Sequence, residues 1–192
     1  MRYSGRGVGV RKTDHLALLC KDVPANRAFS EQALGLQLRE QIRFDDGATE
    51  IGSWLSSNAV HHEVAYVRDS RSLSGRLHHF SLWVDNRDDV LRAADIFREN
   101  GITIEAGPSR HNNAQAFYLY SYEPGGNRIE VYTSGFFVFA PDFEPIIWDE
   151  ENRDGGVYWG ARLPESFATY GTPDVSSQDH VTVEPGPVID PR

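Results

Sequence analysis

The 192-residue sequence predicts an α+β fold in which two tandem β-α-β-β-β modules pair into one curved sheet around a central cleft. An internal duplication is the first observation behind this reading. The stretch from DHLALLC through DVPANRAFSEQALG to HHEVAYV has the same grammar as the stretch from LHHFSLWV through NRDDVLRAADIFRENG to NRIEVYT. The second observation is a near-constant offset: His15 and His79 stand 64 positions apart, and the glycines that close the two helical stretches, Gly35 and Gly101, stand 66 apart.

Within each copy the period of the apolar residues switches from two to about 3.6, the signature of a strand followed by a helix. The first copy opens with the short alternating strand HLALLC. In its helix Pro24 suits the opening turn, Phe29, Ala33 and Leu36 recur at helical spacing, and Gly35 can take the left-handed terminating conformation. LQLREQIRF, ATEIGSWLS after a DDG turn, and HEVAYV follow as strands. The second copy opens with LHHFSLWV; Asp88 and Asp89 complement the N-terminal dipole of its helix, Val90, Ala94 and Phe97 form the buried stripe, and Gly101 ends it. ITIEA, AQAFYLYSY and NRIEVYT are its strands.

One such unit cannot cover both faces of its sheet, so the two are expected side by side, helices outside and cleft inside. This gives a domain over 14–134, with modules 14–68 and 76–134 joined by DSRSLSGR, and an N-terminal extension over 1–13. The aromatic, Pro-broken stretch 135–175 is expected to be an arm draped over the domain or a partner subunit, and the polar 176–192 a disordered tail.

Composition narrows the function. A formal net charge of −9, with no basic cluster to offset it, argues against a nucleic-acid partner. The longest apolar run, GFFVFA, is too short to span a bilayer, so no membrane partner is expected. MRYSGRGVGVRK lacks an apolar core, and Cys20 has no second cysteine to pair with, so a reducing cytoplasm and a small-molecule function are expected.

Strand alternation then selects polar residues. In HFSLWV, His79, Ser81 and Trp83 share one face and Phe80, Leu82 and Val84 the other, so the apolar set packs on the helix and His79 faces the cleft. The same parity turns His15 and Ala17 inward, and sends Leu16, Leu18 and Cys20 to the helix side. Glu130, between Ile129 and Val131, points inward as well, whereas His78 is expected on the opposite face and outside any ligand set. A single histidine on a strand is more often a hydrogen-bonded structural residue, and a single strand glutamate a solvated one. Two imidazoles at equivalent points of a duplication, converging with a strand-centre carboxylate, instead form the facial triad of a non-haem iron site with open coordination positions.

These residues resemble those of the type I extradiol ring-cleaving dioxygenases of the vicinal oxygen chelate superfamily, in particular the catechol 2,3-dioxygenase-like group. DHLALL, HEVAY, GRLHHFSLWV, LRAAD, GPSRH and LYSYEPGGNRIEVY carry the likeness over roughly Thr13–Thr133, and YWGARLPESFATYGTP is similar to the arm of such enzymes. The resemblance implies the vicinal oxygen chelate fold, Fe(II) as cofactor with Mn(II) also acceptable to the ligands, and His15, His79 and Glu130 as those ligands. It further implies His62 as an acid/base beside the metal, and His111 and Tyr120 lining the substrate pocket. Of the adjacent His61 and His62, the motif places its histidine directly before the EVAY-like run, and residue 62 shares strand parity with Val64 and Tyr66. Implied partners are a catecholic substrate and dioxygen, and the implied product is a muconic semialdehyde cleaved outside the diol.

Two-domain members of the family place a metal-free duplicate ahead of the catalytic half, whereas this chain begins almost at that half. The expectation is therefore either a one-domain enzyme or a chain lacking that duplicate, with a second subunit of a homo-oligomer covering the surface. Trp54, Trp83, Phe117 and Tyr118 are available as pocket walls. Two other functions share much of the frame: a non-redox metal enzyme of the same superfamily, such as a glutathione transferase or a glyoxalase, and a metal-free protein that binds aromatic compounds.

Overall fold

The computed structural model describes residues 7–152 and 156–174; the expected tail over 176–192 lies outside these residues. The first copy folds as β1 (Lys12–Cys20), α1 (Val23–Leu34), β2 (Gln37–Phe44), β3 (Thr49–Ser56) and β4 (Val64–Arg68). The second repeats the order as β5 (Arg76–Trp83), α2 (Arg87–Glu99), β6 (Ile104–His111), β7 (Ala116–Tyr122) and β8 (Arg128–Ser134). Two short strands, β9 (Ile146–Trp148) and β10 (Val157–Trp159), and a short helix, α3 (Glu165–Thr169), follow.

Both longer helices begin and end where the side chains dictate. The Asp22 carboxylate accepts the Ala25 N–H at 2.9 Å, and Gly35 closes α1 at φ 71°. Asn86 caps α2 by accepting the Asp89 N–H at 3.0 Å, with Asp88 and Asp89 in the first turn and Arg98 in the last. α2 buries Val90, Ala93 and Phe97 against Val84, Phe117, Leu119 and Val131. Each fully buried side chain of this size contributes about 1.5–3 kcal/mol.

The first helix does not bury the apolar position Phe29 that recurs at helical spacing. Phe29 is 55% exposed, and α1 faces the sheet with Val23 and Ser30 instead. Capping at Asp22 sets the helical phase, so positions 23 and 30, two turns apart, meet the sheet. The Ser30 hydroxyl then lies 2.9 Å from the buried Tyr66 hydroxyl.

All ten strands join in one sheet, in the order β10-β6-β7-β8-β5-β1-β4-β3-β2-β9. The copies meet at its centre through the antiparallel β1–β5 pair, and each first strand also runs parallel to the last strand of its own copy, β1 to β4 and β5 to β8. The sheet must curve strongly. Nine residue steps from Trp148 to Val157 reach at most ~31 Å, whereas a flat sheet would hold β9 and β10 nine strand spacings, or ~43 Å, apart. Across the resulting cup, the Ala114 N–H of the second copy donates to the Glu40 carboxylate of the first at 3.0 Å.

The arm closes the sheet at both edges, β9 pairing with β2 and β10 with β6. Its helix is held by two buried arginines. Arg128 donates to the carbonyls of Ser166 and Tyr170 at 2.9 and 3.0 Å, and Arg76 to that of Thr172 at 2.8 Å. Each has its own carboxylate, Glu105 for Arg128 and Asp69 for Arg76. No helix among the described residues is long and apolar enough to cross a membrane.

Candidate metal centre

The β1–β5 seam is irregular at two points, and both matter chemically. Thr13 pairs with Leu82 but Leu16 with Phe80, so Asp14 and His15 together oppose Ser81. Two steps on, Ala17 pairs with His79 but Leu18 with Leu77, leaving His78 as the extra residue on β5. Such bulges re-aim side chains and break strict alternation. This corrects the expected orientation of His78: it lines the same cavity as His79 rather than the opposite face.

Inside the cleft, His15 Nε2 lies 3.2 Å from His79 Nε2 and 3.0 Å from Glu130 Oε2, and His79 Nε2 lies 3.5 Å from that oxygen. Three donors bound at about 2.1 Å to one ion, at right angles to each other, stand about 3.0 Å apart. His15, His79 and Glu130 form the one group of potential metal ligands of this kind among the described residues, and all three are buried. Glu130 Oε2 has no hydrogen-bond partner. The ligands fit a divalent cation for an electrostatic reason: lone pairs facing one another this closely in a dry site repel unless positive charge lies between them.

The pKa shifts reflect the same crowding. Burial alone would raise the Glu130 carboxyl, but His111, His15 and His79 outweigh it and hold the group well below the carboxylate range. Burial opposes charging of His15, yet Asp14 and Glu130 raise it. His79 is held well below the usual imidazole value by burial, with His78, His15 and Arg128 adding to the effect. His62 is lowered likewise by burial and by His15 and His61.

The ligands have supports of their own. His15 Nδ1 lies 3.2 Å from Asp14 Oδ2, and His79 Nδ1 lies 2.6 Å from His78 Nδ1. Asp14 thus stands where a carboxylate partner would hold a metal-binding imidazole in place. Sequence reasoning passed over Asp14, although its position directly before the ligand His15 is a visible signal once a bulge is allowed.

All six expected site residues line one cavity of about 190 Å³. His15 comes from β1, His79 from β5, Glu130 from β8 and Tyr120 from β7, while His111 ends β6 and His62 precedes β4. The His62 ring centroid is 4.0 Å from that of His15. His61 instead faces a second, smaller cavity near Phe136, with its Nδ1 2.7 Å from His62 Nδ1 and its Nε2 3.4 Å from Glu40. His111 Nδ1 must donate to the Gly156 carbonyl at 2.9 Å, so in neutral His111 the Nε2 accepts from the Tyr120 hydroxyl at 3.0 Å. Of the four aromatic wall candidates only Trp54 lines the cavity. Trp83 borders the smaller one, Phe117 packs under α2, and Tyr118 stacks on His111 with centroids 3.9 Å apart.

Comparison with known proteins matches this geometry. The family model described as Glyoxalase/Bleomycin resistance protein/Dioxygenase superfamily matches residues 12–131. The chain belongs to this superfamily. It is 39% identical over 155 residues to the manganese-dependent 2,3-dihydroxybiphenyl 1,2-dioxygenase of Geobacillus genomosp. 3, a match covering 80% of this chain and 49% of that protein. It is 37% identical over 171 residues to the metapyrocatechase of Geobacillus stearothermophilus, covering 88% and 52%. Homoprotocatechuate 2,3-dioxygenase of Brevibacterium fuscum, solved with 3,4-dihydroxyphenylacetate, superposes with a TM-score of 0.80 at 30% identity over 90% of this chain and 53% of that one. This superfamily chain spans about half the length of the curated relatives it matches, and its fold is the expected α+β, vicinal oxygen chelate arrangement.

Proposed function

We propose that the protein cleaves a catechol outside its diol with dioxygen, at a single Fe(II) or Mn(II) ion held by His15, His79 and Glu130, giving a muconic semialdehyde. The observation that carries this reading is one cavity holding both the three converging ligands and His62, His111 and Tyr120. Such an ion would supply a common anchor for two vicinal oxygens and dioxygen, and a path for electrons between them. The relatives named as dioxygenases of catecholic compounds support the substrate class.

The residues of the chain have separable tasks in this reading. His62, kept neutral chiefly by burial, accepts a hydroxyl proton from the incoming diol and returns it later. The Tyr120 hydroxyl donates its hydrogen bond to His111, leaving its oxygen lone pairs to receive a hydrogen bond from substrate. Ala17, Leu19, Ile42, Trp54 and Ala65 form an apolar wall that accommodates the ring and keeps water out. We extend the reading to a cytoplasmic homo-oligomer, supported by the buried free thiol of Cys20 and by Phe137 and Phe139, which stack on each other while exposed.

The test is anaerobic loading with Fe(II) or Mn(II), followed by oxygen and a panel of substituted catechols, with absorbance monitored for yellow ring-fission products. Turnover with either metal is expected. A protein that binds both metals and consumes no oxygen with any catechol sinks the reading and favours a non-redox member of the superfamily.

A further inference from the structure

We infer that His78 is a positioning residue for the metal ligand His79, and that the arm anchors it through the Phe167 carbonyl. The inference deepens the metal-site reading and rests on it. Its basis is a chain of two short hydrogen bonds whose direction is fixed at one end. His78 Nε2 lies 2.6 Å from the Phe167 carbonyl oxygen, an atom that can only accept. His78 Nε2 therefore carries a hydrogen, and the Nδ1 of a neutral His78 is a lone pair. His79 Nδ1, 2.6 Å away, must then be the donor. With its hydrogen on Nδ1, His79 turns the lone pair of Nε2 toward His15 and Glu130, the only tautomer that can bind a metal through that nitrogen. Were His78 protonated on both nitrogens, His79 would present an N–H to the site and could not be a ligand.

The duplication supplies an independent argument. Each ligand histidine sits at a bulge of the β1–β5 seam and is preceded by a residue that contacts its Nδ1, Asp14 before His15 and His78 before His79. A carboxylate is an acceptor by itself. An imidazole accepts at Nδ1 only if its other nitrogen is committed elsewhere, and the Phe167 carbonyl makes that commitment. The carbonyl is held in turn from both sides, because Arg128 binds the Ser166 and Tyr170 carbonyls and the His78 carbonyl as well. His78 and Phe167 also pack ring to ring, with centroids 4.6 Å apart. The arm is thereby part of the metal site's support, though none of its residues is a ligand.

Two measurements test the inference. In the metal-free protein labelled with ¹⁵N-histidine, long-range ¹H–¹⁵N correlation at neutral pH should show His79 protonated at Nδ1 and His78 at Nε2. An N–H at His79 Nε2 overturns the inference outright, and this readout needs neither a variant nor a metal. Mn(II) affinity, measured by competition with a fluorescent chelator, should fall about 10–100-fold in His78→Phe. His78→Asn, whose side-chain oxygen can still accept from His79 Nδ1, should recover most of that loss. Equal affinities in all three proteins, or equal losses in both variants, overturn it. Should the wild type and Glu130→Gln both fail to bind Mn(II), the metal-site reading falls, and the tautomer spectra still decide whether His78 orients His79. They also decide if His78→Phe does not fold.

Discussion

Replacing Arg128 with Met tests how the arm is held. Arg128 is 1% exposed, binds both Glu105 oxygens at 2.6 and 2.8 Å, and donates to the carbonyls of His78, Ser166 and Tyr170. Removing one partner of a buried pair costs about 3–5 kcal/mol, because the other charge is left without compensation. Glu105 would still accept from the hydroxyls of Tyr122 and Ser166, at 2.5 and 2.7 Å, which places the cost at about 3 kcal/mol. For a chain of this size that is roughly 6–12 °C in Tm. Glu105→Gln added to Arg128→Met should restore part of the loss, since no unpaired charge remains.

The loss should also depend on pH. In the wild type, burial opposes ionisation of Glu105, but Arg128, Tyr122 and Ser166 outweigh it and depress its pKa. Its stabilisation is therefore complete above the unfolded carboxyl pKa and fades as pH falls through the lower folded value. In the variant, burial without Arg128 raises the folded pKa, so lowering the pH protonates Glu105 and stabilises the variant. The gap between the two proteins should narrow from pH 7 to pH 5, as read by guanidinium denaturation followed by tryptophan fluorescence. A gap below about 1 kcal/mol at pH 7, or one that widens on acidification, refutes the reasoning.

Three further outcomes are expected. Mn(II) at a hundred times its Kd should stabilise the protein by about 2.7 kcal/mol, reversed by EDTA and absent in Glu130→Gln; calorimetric melting checks this. His62→Phe should leave Mn(II) affinity near the wild-type value while slowing ring cleavage about 10²–10⁴-fold, measured by the rate of yellow product; undiminished turnover removes His62 from the chemistry. Cys20, whose thiol is pushed up to about 12 by burial and by Asp22, Asp69 and Glu50, should resist disulfide reagents at pH 8 until the protein is unfolded; rapid modification of the native protein would contradict this burial.

Much of the centre of the fold was legible because alternation is a local property. His15 with Ala17, and the α2 positions Val90 and Phe97, fall where the period of the apolar residues places them. The outward position of Phe29 was not legible, because a weakly amphipathic pattern does not reveal which turn of α1 meets the sheet. His78 was misread because a bulge is a property of two strands together, and neither strand shows it alone. The attachment of the arm was hidden for a similar reason. A buried arginine such as Arg128 reads as a surface residue until Glu105 and the carbonyls of a segment some forty positions further on are brought to it. The convergence of His15, His79 and Glu130 was readable because the duplication repeats the position of the histidine, a regularity that single-strand packing does not require.

The seam between the copies has a consequence for how the protein matures. The three candidate ligands, His15, His79 and Glu130, are separated by 64 and then 51 positions along the chain, so neither copy folding by itself brings all three together. Contacts between such distant positions form late, after the large loops between them have closed. In a refolding experiment, capture of Mn(II) should therefore lag behind the return of secondary structure and mark the moment at which the halves dock.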